Sequence, residues 1–523
     1  MAWIKKIVHN SESLEIIIHM SQAYLSRLYK ESLALLTDFY QITMSYGYWK
    51  AGLDKKEAAF HLFFRKRPFN GGFTVVAGLE SVIEYLKNFH FDSSDLAYLS
   101  ELRGSDGEKL FDPAFFDYLA NMKFTCDVDA VPEGNVVFPY EPLIRIQGPL
   151  IQCQLLESPL LNLINFPTLI ATKAARMCIA AQGEPVLEFG LRRAQGIDGS
   201  LAASRAAFIG GCESTSSVLA GKLFGIPVRG THSHSWIMVF DNELDAFQTY
   251  ARELPNNCVF LVDTYDTLEA VKKVIEVGKS LRKQGKKMLG IRLDSGDLAH
   301  LSIKSREMLD AAGFKDAKIL ASNELDETLI NDLKRQGAKI SLWGVGTNLV
   351  TGSSQPALDG VYKLSAIRDP GGPWKYKLKL SEQMIKVSNP GLLQVRRYKS
   401  GNEYVADCIF DENVSGKIIG RIVHPLDPTK EKIVRNDWKF HDLLVPIFKR
   451  GECLYSSPSL REMQAASQRE LGHFYEGIKR FINPHEYMVG MEKNLYKLKV
   501  NLIRNIRSGK SHNFIMSDEK VEV

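Results

Sequence analysis

The chain predicts an α/β protein in which parallel strands alternate with helices, either closed into a barrel or left as an open sheet. Three observations carry this. Apolar, strand-like runs recur at 185–189, 226–229, 258–262, 288–293, 317–321 and 340–343, with a seventh candidate at 360–364. Most intervals are roughly 20–40 residues, room for one strand and one crossover helix. The segments between them, 268–277, 301–309 and 326–333, place apolar residues at three- and four-residue spacing, the mark of amphipathic helices. Repeated βα units of this kind pack as a parallel sheet. At 523 residues the chain exceeds one ordinary core, so two or more domains are expected.

The flanking regions differ in texture. Residues 1–31 read as an amphipathic extension, with Leu14, Ile17, Ile18, Tyr24, Leu25 and Leu28 in helical register. Its apolar run 16–18, between Glu15 and His19, is too short for a secretory core or a membrane span. Residues 32–165 mix helical patches with strand-like pieces at 59–64, 135–138 and 141–149, as an α+β domain would. The repeat occupies 166–364, and 365–523 is a Lys- and Gly-rich appendage with short alternating runs such as 375–379, then a helical region. The last dozen residues, dominated by Ser, Lys and Glu, read as disordered.

Composition narrows the partners. With 45% hydrophobic and 24% charged residues the chain reads as globular and soluble. A net charge of +5 from 66 basic and 61 acidic residues demands neither nucleic acid nor membrane, and suits anionic substrates. The seven cysteines are scattered, odd in number and without Cys-x-x-Cys or zinc spacing, which points to reduced thiols and a cytoplasmic location.

Chemistry gathers where the predicted strands stop. Phe189 leads to Gly190-Leu-Arg-Arg193, Arg229 to Gly230-Thr-His-Ser-His-Ser235, and Val262 to Asp263-Thr-Tyr-Asp266. Arg292 leads to Asp294-Ser-Gly-Asp297, Ala321 to Ser322-Asn-Glu324, and Trp343 to Gly344-Val-Gly-Thr-Asn348. Polar groups at the carboxyl ends of parallel strands are where such folds place their sites. Each cluster alone has a plainer reading. His232 and His234, two apart, share one face of an extended strand and could bind metal or fill polar space. Asp263, Asp266, Asp294 and Asp297 could serve as turn or helix-cap residues, the glycines could serve only tight turns, and Arg192 and Arg193 could be solvated charges. Taken together, free amides near Gly344, Gly346 and Thr347 suit a phosphate, and arginine suits phosphate or carboxylate. Asp263 and Asp294 suit ribose hydroxyls or Mg2+, and a histidine suits phosphoryl acceptance.

These motifs, with Leu36-Thr-Asp-Phe-Tyr-Gln-Ile-Thr-Met44, Phe63-Phe-Arg-Lys-Arg-Pro68 and Glu188-Phe-Gly-Leu-Arg-Arg-Ala-Gln195, closely resemble the nicotinate phosphoribosyltransferase family over roughly residues 32–365. The resemblance implies an irregular parallel β/α barrel (TIM-like) plus an α+β domain built from the N- and C-terminal segments. It implies a ligase of pentosyl transfer in NAD salvage, converting nicotinate, 5-phosphoribosyl 1-diphosphate (PRPP) and ATP to nicotinate mononucleotide, diphosphate, ADP and phosphate. Mg2+ and ATP are the implied cofactor and co-substrate, and the implied assembly is a homodimer with shared active sites.

The residue roles implied by the resemblance are these. His234 is the transient phosphohistidine, while His232 stands where the family usually has an apolar or small residue. Asp263, Arg292 and Asp294 belong to the PRPP and magnesium region, with Thr231 and Ser322 beside them as substrate-binding residues. Phe189 and Arg192 stack on and hold the carboxylate side of nicotinate, Tyr40 packs on nicotinate from a neighbouring subunit, and Gly344, Gly346 and Thr347 receive the 5′-phosphate. Glu213 stands where the family commonly has Asp and receives no role. The rival readings are a nicotinamide or quinolinate phosphoribosyltransferase, or an inactive relative that binds NAD precursors. A phosphosugar isomerase or aldolase would need a placed base or Schiff-base lysine, and none stands out.

Overall fold

The structure, a computed structural model, describes residues 32–383, 386–413, 419–509 and 514–515. The extension expected over 1–31 lies outside these, as does most of the tail expected to be disordered. Within that tail, Phe514–Ile515 is a short strand paired with Lys375–Tyr376.

Six strands form an all-parallel sheet in the order Ser214–Thr215, Val186–Glu188, Leu342–Val345, Lys318–Ala321, Gly290–Leu293 and Val259–Leu261. Buried apolar side chains such as Phe260, Ile291, Ile319 and Val345 fill its interior. The crossover helices Thr267–Lys283, Leu298–Ala311 and Glu327–Arg335 cover its outside. Asp266, Asp297 and Asp326 cap these helices, each accepting a hydrogen bond from a first-turn amide, which starts the helix directly after a rim loop.

Two expectations about the strands are corrected. The run 226–229 is not a strand: only Val228 bridges, to Thr215, since Pro227 has no amide hydrogen to extend the ladder. The ladder position beside the first strand is taken instead by Ser214–Thr215, a polar pair with no apolar run to announce it. The candidate at 360–364 does form a strand, Gly360–Arg368, but it runs antiparallel to Glu57–Phe64 in another sheet. The seam between Val228 and Val259–Leu261 is closed by side chains. His232 Nε2 accepts from Leu261 N at 3.2 Å, and Asn257 Nδ2 donates to Gly230 O at 3.3 Å.

That other sheet has eight strands and interleaves the two ends of the chain. Glu57–Phe64, Asp127–Ala130 and Ile144–Pro149 lie among Gly360–Arg368, Lys375–Tyr376, Val445–Lys449 and Glu452–Cys453. A third, six-stranded sheet is built wholly from the C-terminal part, from Leu393–Ser400 to Val489–Glu492. The α+β layer therefore does draw on N- and C-terminal segments. Its third sheet is anchored by Arg397, fully buried, which binds Asp407 at 3.0 Å and Glu470 at 2.9 Å. The helix Leu460–Gly472 docks on the barrel helix Gly196–Ile209, Gln464 donating to the carbonyls of Phe208 and Cys212. All seven cysteines are free thiols, and among the described residues no helix is long and apolar enough to cross a membrane.

Candidate active site

The carboxyl ends of the parallel strands bring six of the expected residues into one hydrogen-bonded group. Arg292, on Gly290–Leu293, is its centre: Nε donates to Ser322 Oγ at 2.8 Å, one terminal nitrogen to Thr231 Oγ1 at 3.3 Å, and the other to Asp294 Oδ1 at 3.0 Å. Ser322 also donates to Asp294 Oδ1. The amide of Asp294 and the hydroxyl of Ser295 both donate to Asp263 Oδ2, at 3.1 and 2.5 Å. His234 completes the group, with Nδ1 3.2 Å from Thr264 Oγ1 and Nε2 3.7 Å from Asp294 Oδ2.

The two histidines part company here. Gly230–Ser233 is irregular chain rather than an extended strand, and His234 opens the short helix His234–Met238. His232 turns inward and is buried against Tyr250, ring centroids 4.9 Å apart. Burial takes its pKa from the usual histidine value down to about 4, so the ring is neutral and its Nε2 is free to accept from Leu261. His234 remains part-exposed at the rim. His232 is thus a strut of the barrel, and the shared-face expectation fails because the backbone between the two rings is not extended.

Burial pushes the Asp294 carboxyl up, but the Arg292 guanidinium and the Ser322 hydroxyl outweigh it and hold the group below the usual carboxylate range. Asp294 is therefore a fixed negative charge at neutral pH. Asp263 Oδ1 is buried and has no hydrogen-bond partner among the described residues. An orphaned carboxylate oxygen beside a second carboxylate is the hard donor set Mg2+ prefers. Among the described residues no three His, Cys, Asp or Glu side chains gather to enclose a metal. The fit is therefore to a Mg2+ that keeps waters and shares substrate phosphates, its usual habit, rather than to a closed cage.

Phe189 lies under this group, the Arg292 guanidinium 5.8 Å from its ring centroid. Its amide is tied to Val345 O at 2.6 Å. A Cβ on Gly344 would come within 2.9 Å of the Phe189 ring, so the glycine is what lets the ring lie flat against that strand. Gly346 follows beside the Phe189 carbonyl. Thr347 sits one step farther out, donating to Glu324 Oε1 at 3.2 Å.

Not every expected residue joins the group. Arg192 is exposed on the 3-10 turn Leu191–Arg193, which puts it at the rim near Phe189. Tyr40 is in the first turn of the helix Phe39–Lys50, exposed, with Glu157, Asp38 and Gln41 as its polar neighbours, none of them a rim residue. Glu213 precedes Ser214–Thr215 and so lies at the opposite, amino end of the barrel.

Two residues without an expected role prove to matter. Glu188, buried, accepts from the Gly190 amide, from Ser204 at 2.9 Å and from Thr215, which fixes the chain around Phe189. Thr264 holds the His234 ring. A separate basic cleft of about 520 Å3, lined by Arg65, Lys66, Arg67, Tyr140 and His424, lies between the N- and C-terminal segments and shares none of the rim residues.

Known proteins match this chain over most of its length. Family models described as the nicotinate phosphoribosyltransferase N-terminal domain, family and C-terminal domain match residues 35–165, 186–369 and 394–499. The nicotinate phosphoribosyltransferase of Bacillus subtilis (strain 168) is 44% identical over 485 residues, covering 91% of this chain and 96% of the relative. The Homo sapiens protein of that name is 33% identical over 522 residues, covering 89% and 95%. Among solved structures, human nicotinic acid phosphoribosyltransferase superposes with a TM-score of 0.76 at 30% identity, covering 89% of this chain and 99% of that one. The nicotinate-nucleotide pyrophosphorylase of Pyrococcus furiosus, with a TM-score of 0.64 at 23% identity over 84% of this chain and 95% of that one, shares the fold.

Proposed function

The chain belongs to the nicotinate phosphoribosyltransferase family, and from that premise we propose that it joins nicotinate to the phosphoribosyl group of PRPP. Nicotinate mononucleotide and diphosphate are the products, on the salvage route to NAD in the cytoplasm. ATP hydrolysis drives the reaction through a transient phosphohistidine at His234. The observation that carries this reading is the Arg292-centred group, which sets two carboxylates, two hydroxyls and a part-exposed imidazole around one point of the rim.

Each residue has a physical task. The face of Phe189 stacks on the pyridine ring, and Arg192 pairs with its carboxylate, giving preference for the acid over the amide. Tyr40 closes the base site from a second copy of the chain, which makes the working unit a homodimer. Amides at Gly344 and Gly346, with the Thr347 hydroxyl, hold the 5′-phosphate once Glu324 yields its place at Thr347. The ring nitrogen of nicotinate attacks the anomeric carbon as its bond to diphosphate breaks, and Arg292 and the ordered hydroxyls orient the ribose for that displacement. Asp263 and Asp294 would hold Mg2+, which neutralises charge on the departing diphosphate when bound. Phosphorylation of His234 adds negative charge 3.7 Å from Asp294 and changes the relative affinities of substrates and products, which is how ATP can drive synthesis.

The test compares wild-type and His234→Asn protein with and without ATP. The reading predicts that ATP stimulates the wild type, and that His234→Asn retains slow transfer with no response to ATP. Full ATP-stimulated turnover by His234→Asn would refute it.

A further inference from the structure

We infer that Thr264 is the positioning residue that decides which nitrogen of His234 receives the phosphoryl group, an inference that rests on the phosphohistidine reading above. His234 stands at the start of a five-residue helix, and its ring crosses to the loop that follows Val259–Leu261. Nδ1 lies 3.2 Å from Thr264 Oγ1, within hydrogen-bond reach, whereas Nε2 lies 3.7 Å from Asp294 Oδ2, beyond it. One ring nitrogen is therefore engaged by the protein and the other is presented to the carboxylates.

A neutral imidazole has one N–H and one lone pair, and the partner of one nitrogen selects the role of the other. With Thr264 Oγ1 taken as the acceptor of the Nδ1 hydrogen, the lone pair is left on Nε2, on the side of Asp294. Thr264 is itself held in place by its neighbour: Asp263 accepts from the Asp294 amide and from Ser295, which pins this loop to the next strand end. The His234 side chain is 40% exposed, so a phosphate can reach Nε2.

The step balances as follows. The Nε2 lone pair forms a bond to the γ-phosphorus of ATP, the bond from that phosphorus to the bridging oxygen breaks, and ADP leaves with the electron pair. The proton stays on Nδ1, and the positive charge that develops on the ring is stabilised by the hydrogen bond to Thr264 Oγ1. Later a water oxygen bonds to phosphorus and gives up a proton to solvent, the N–P bond breaks, Nε2 regains its pair and inorganic phosphate leaves. A carboxylate in place of Thr264 would raise the basicity of the ring and strengthen the N–P bond. A neutral hydroxyl orients the ring without that, which suits an intermediate that must turn over.

The experiment incubates wild-type, Thr264→Val and Thr264→Ser proteins with γ-labelled ATP, follows label on protein, and locates the phosphorus by NMR of the imidazole. Transfer from PRPP without ATP is measured in parallel as a control for folding of the site. The expected result is phosphorus on Nε2 in the wild type, phosphorylation slowed about 10- to 100-fold in Thr264→Val, and recovery in Thr264→Ser. Thr264→Val should lower the phosphorylation rate by a larger factor than it lowers ATP-independent transfer, because the phosphohistidine takes no part in the latter. Wild-type labelling with unchanged rate in Thr264→Val, or phosphorus on Nδ1, would overturn the assignment alone. Equal loss of ATP-independent transfer in Thr264→Val would overturn it too, since the residue would then support the whole rim. No label on wild-type histidine would overturn the phosphohistidine reading and this assignment with it.

Discussion

The Nε2 atom of His232 accepts a hydrogen bond from the amide of Leu261 at 3.2 Å, at the end of the parallel sheet where, among the described residues, strand pairing stops. The bond requires a neutral ring, and burial provides one by lowering the pKa from the usual value of 6.5 to about 4. Because the folded value is depressed, the folded state is unaffected above the unfolded value and loses stability as pH falls from about 6.5 to about 4. The loss saturates near 3 kcal/mol, as an order of magnitude. Denaturant titrations from pH 7 to pH 4 measure it. The same series on His232→Gln should be flatter, with His61, also buried and lowered to about 3, leaving a residual slope of the same sign.

Gly344 and Phe189 touch more closely than any side chain would allow. Gly344→Ala should displace the Phe189 ring, raise KM for nicotinate and cost about 1–3 kcal/mol of stability through overpacking. Steady-state kinetics with nicotinate varied, together with a thermal melt, check both parts.

Arg192 stands exposed beside the proposed base site. Loss of a charged hydrogen bond to a carboxylate corresponds to about 1.5–3 kcal/mol, so Arg192→Ala should raise KM for nicotinate about 10- to 100-fold. Its preference for nicotinate over nicotinamide should narrow, as base-competition assays would show.

The buried pair of Arg397 and Asp407 fastens the C-terminal sheet far from the rim. Removing one partner leaves an uncompensated charge, so Arg397→Ala should lower the unfolding free energy by about 3–5 kcal/mol. Urea unfolding measures this.

Five of the six parallel strands were legible because they are buried on both faces and therefore read as apolar runs. Ser214–Thr215 was not, since it is a polar pair fixed by a distant contact, Thr215 with Glu188, rather than by any local apolar pattern. The run at 226–229 reads as a strand from its apolar residues, yet Pro227 and the inward turn of His232 leave only one bridge. The rim group was legible in identity, from strand ends rich in Asp, Arg, Ser and Gly. Its internal order was not: a two-residue spacing says nothing of which histidine faces the site once the backbone between them leaves the extended region. Thr264 carries no charge and no distinctive spacing, so only its distance to His234 reveals it. Asp266 and Asp297 are caps, and Asp263 and Asp294 are the pair that face the site, a division that rests on which amides point at each carboxylate.

The central claim is tested most directly by incubating the protein with nicotinate, PRPP and Mg2+, with and without ATP, and measuring the mass of the product. The account predicts nicotinate mononucleotide in both, and more of it, at the expense of the reverse reaction, when ATP is present. Absence of nicotinate mononucleotide under both conditions would contradict it.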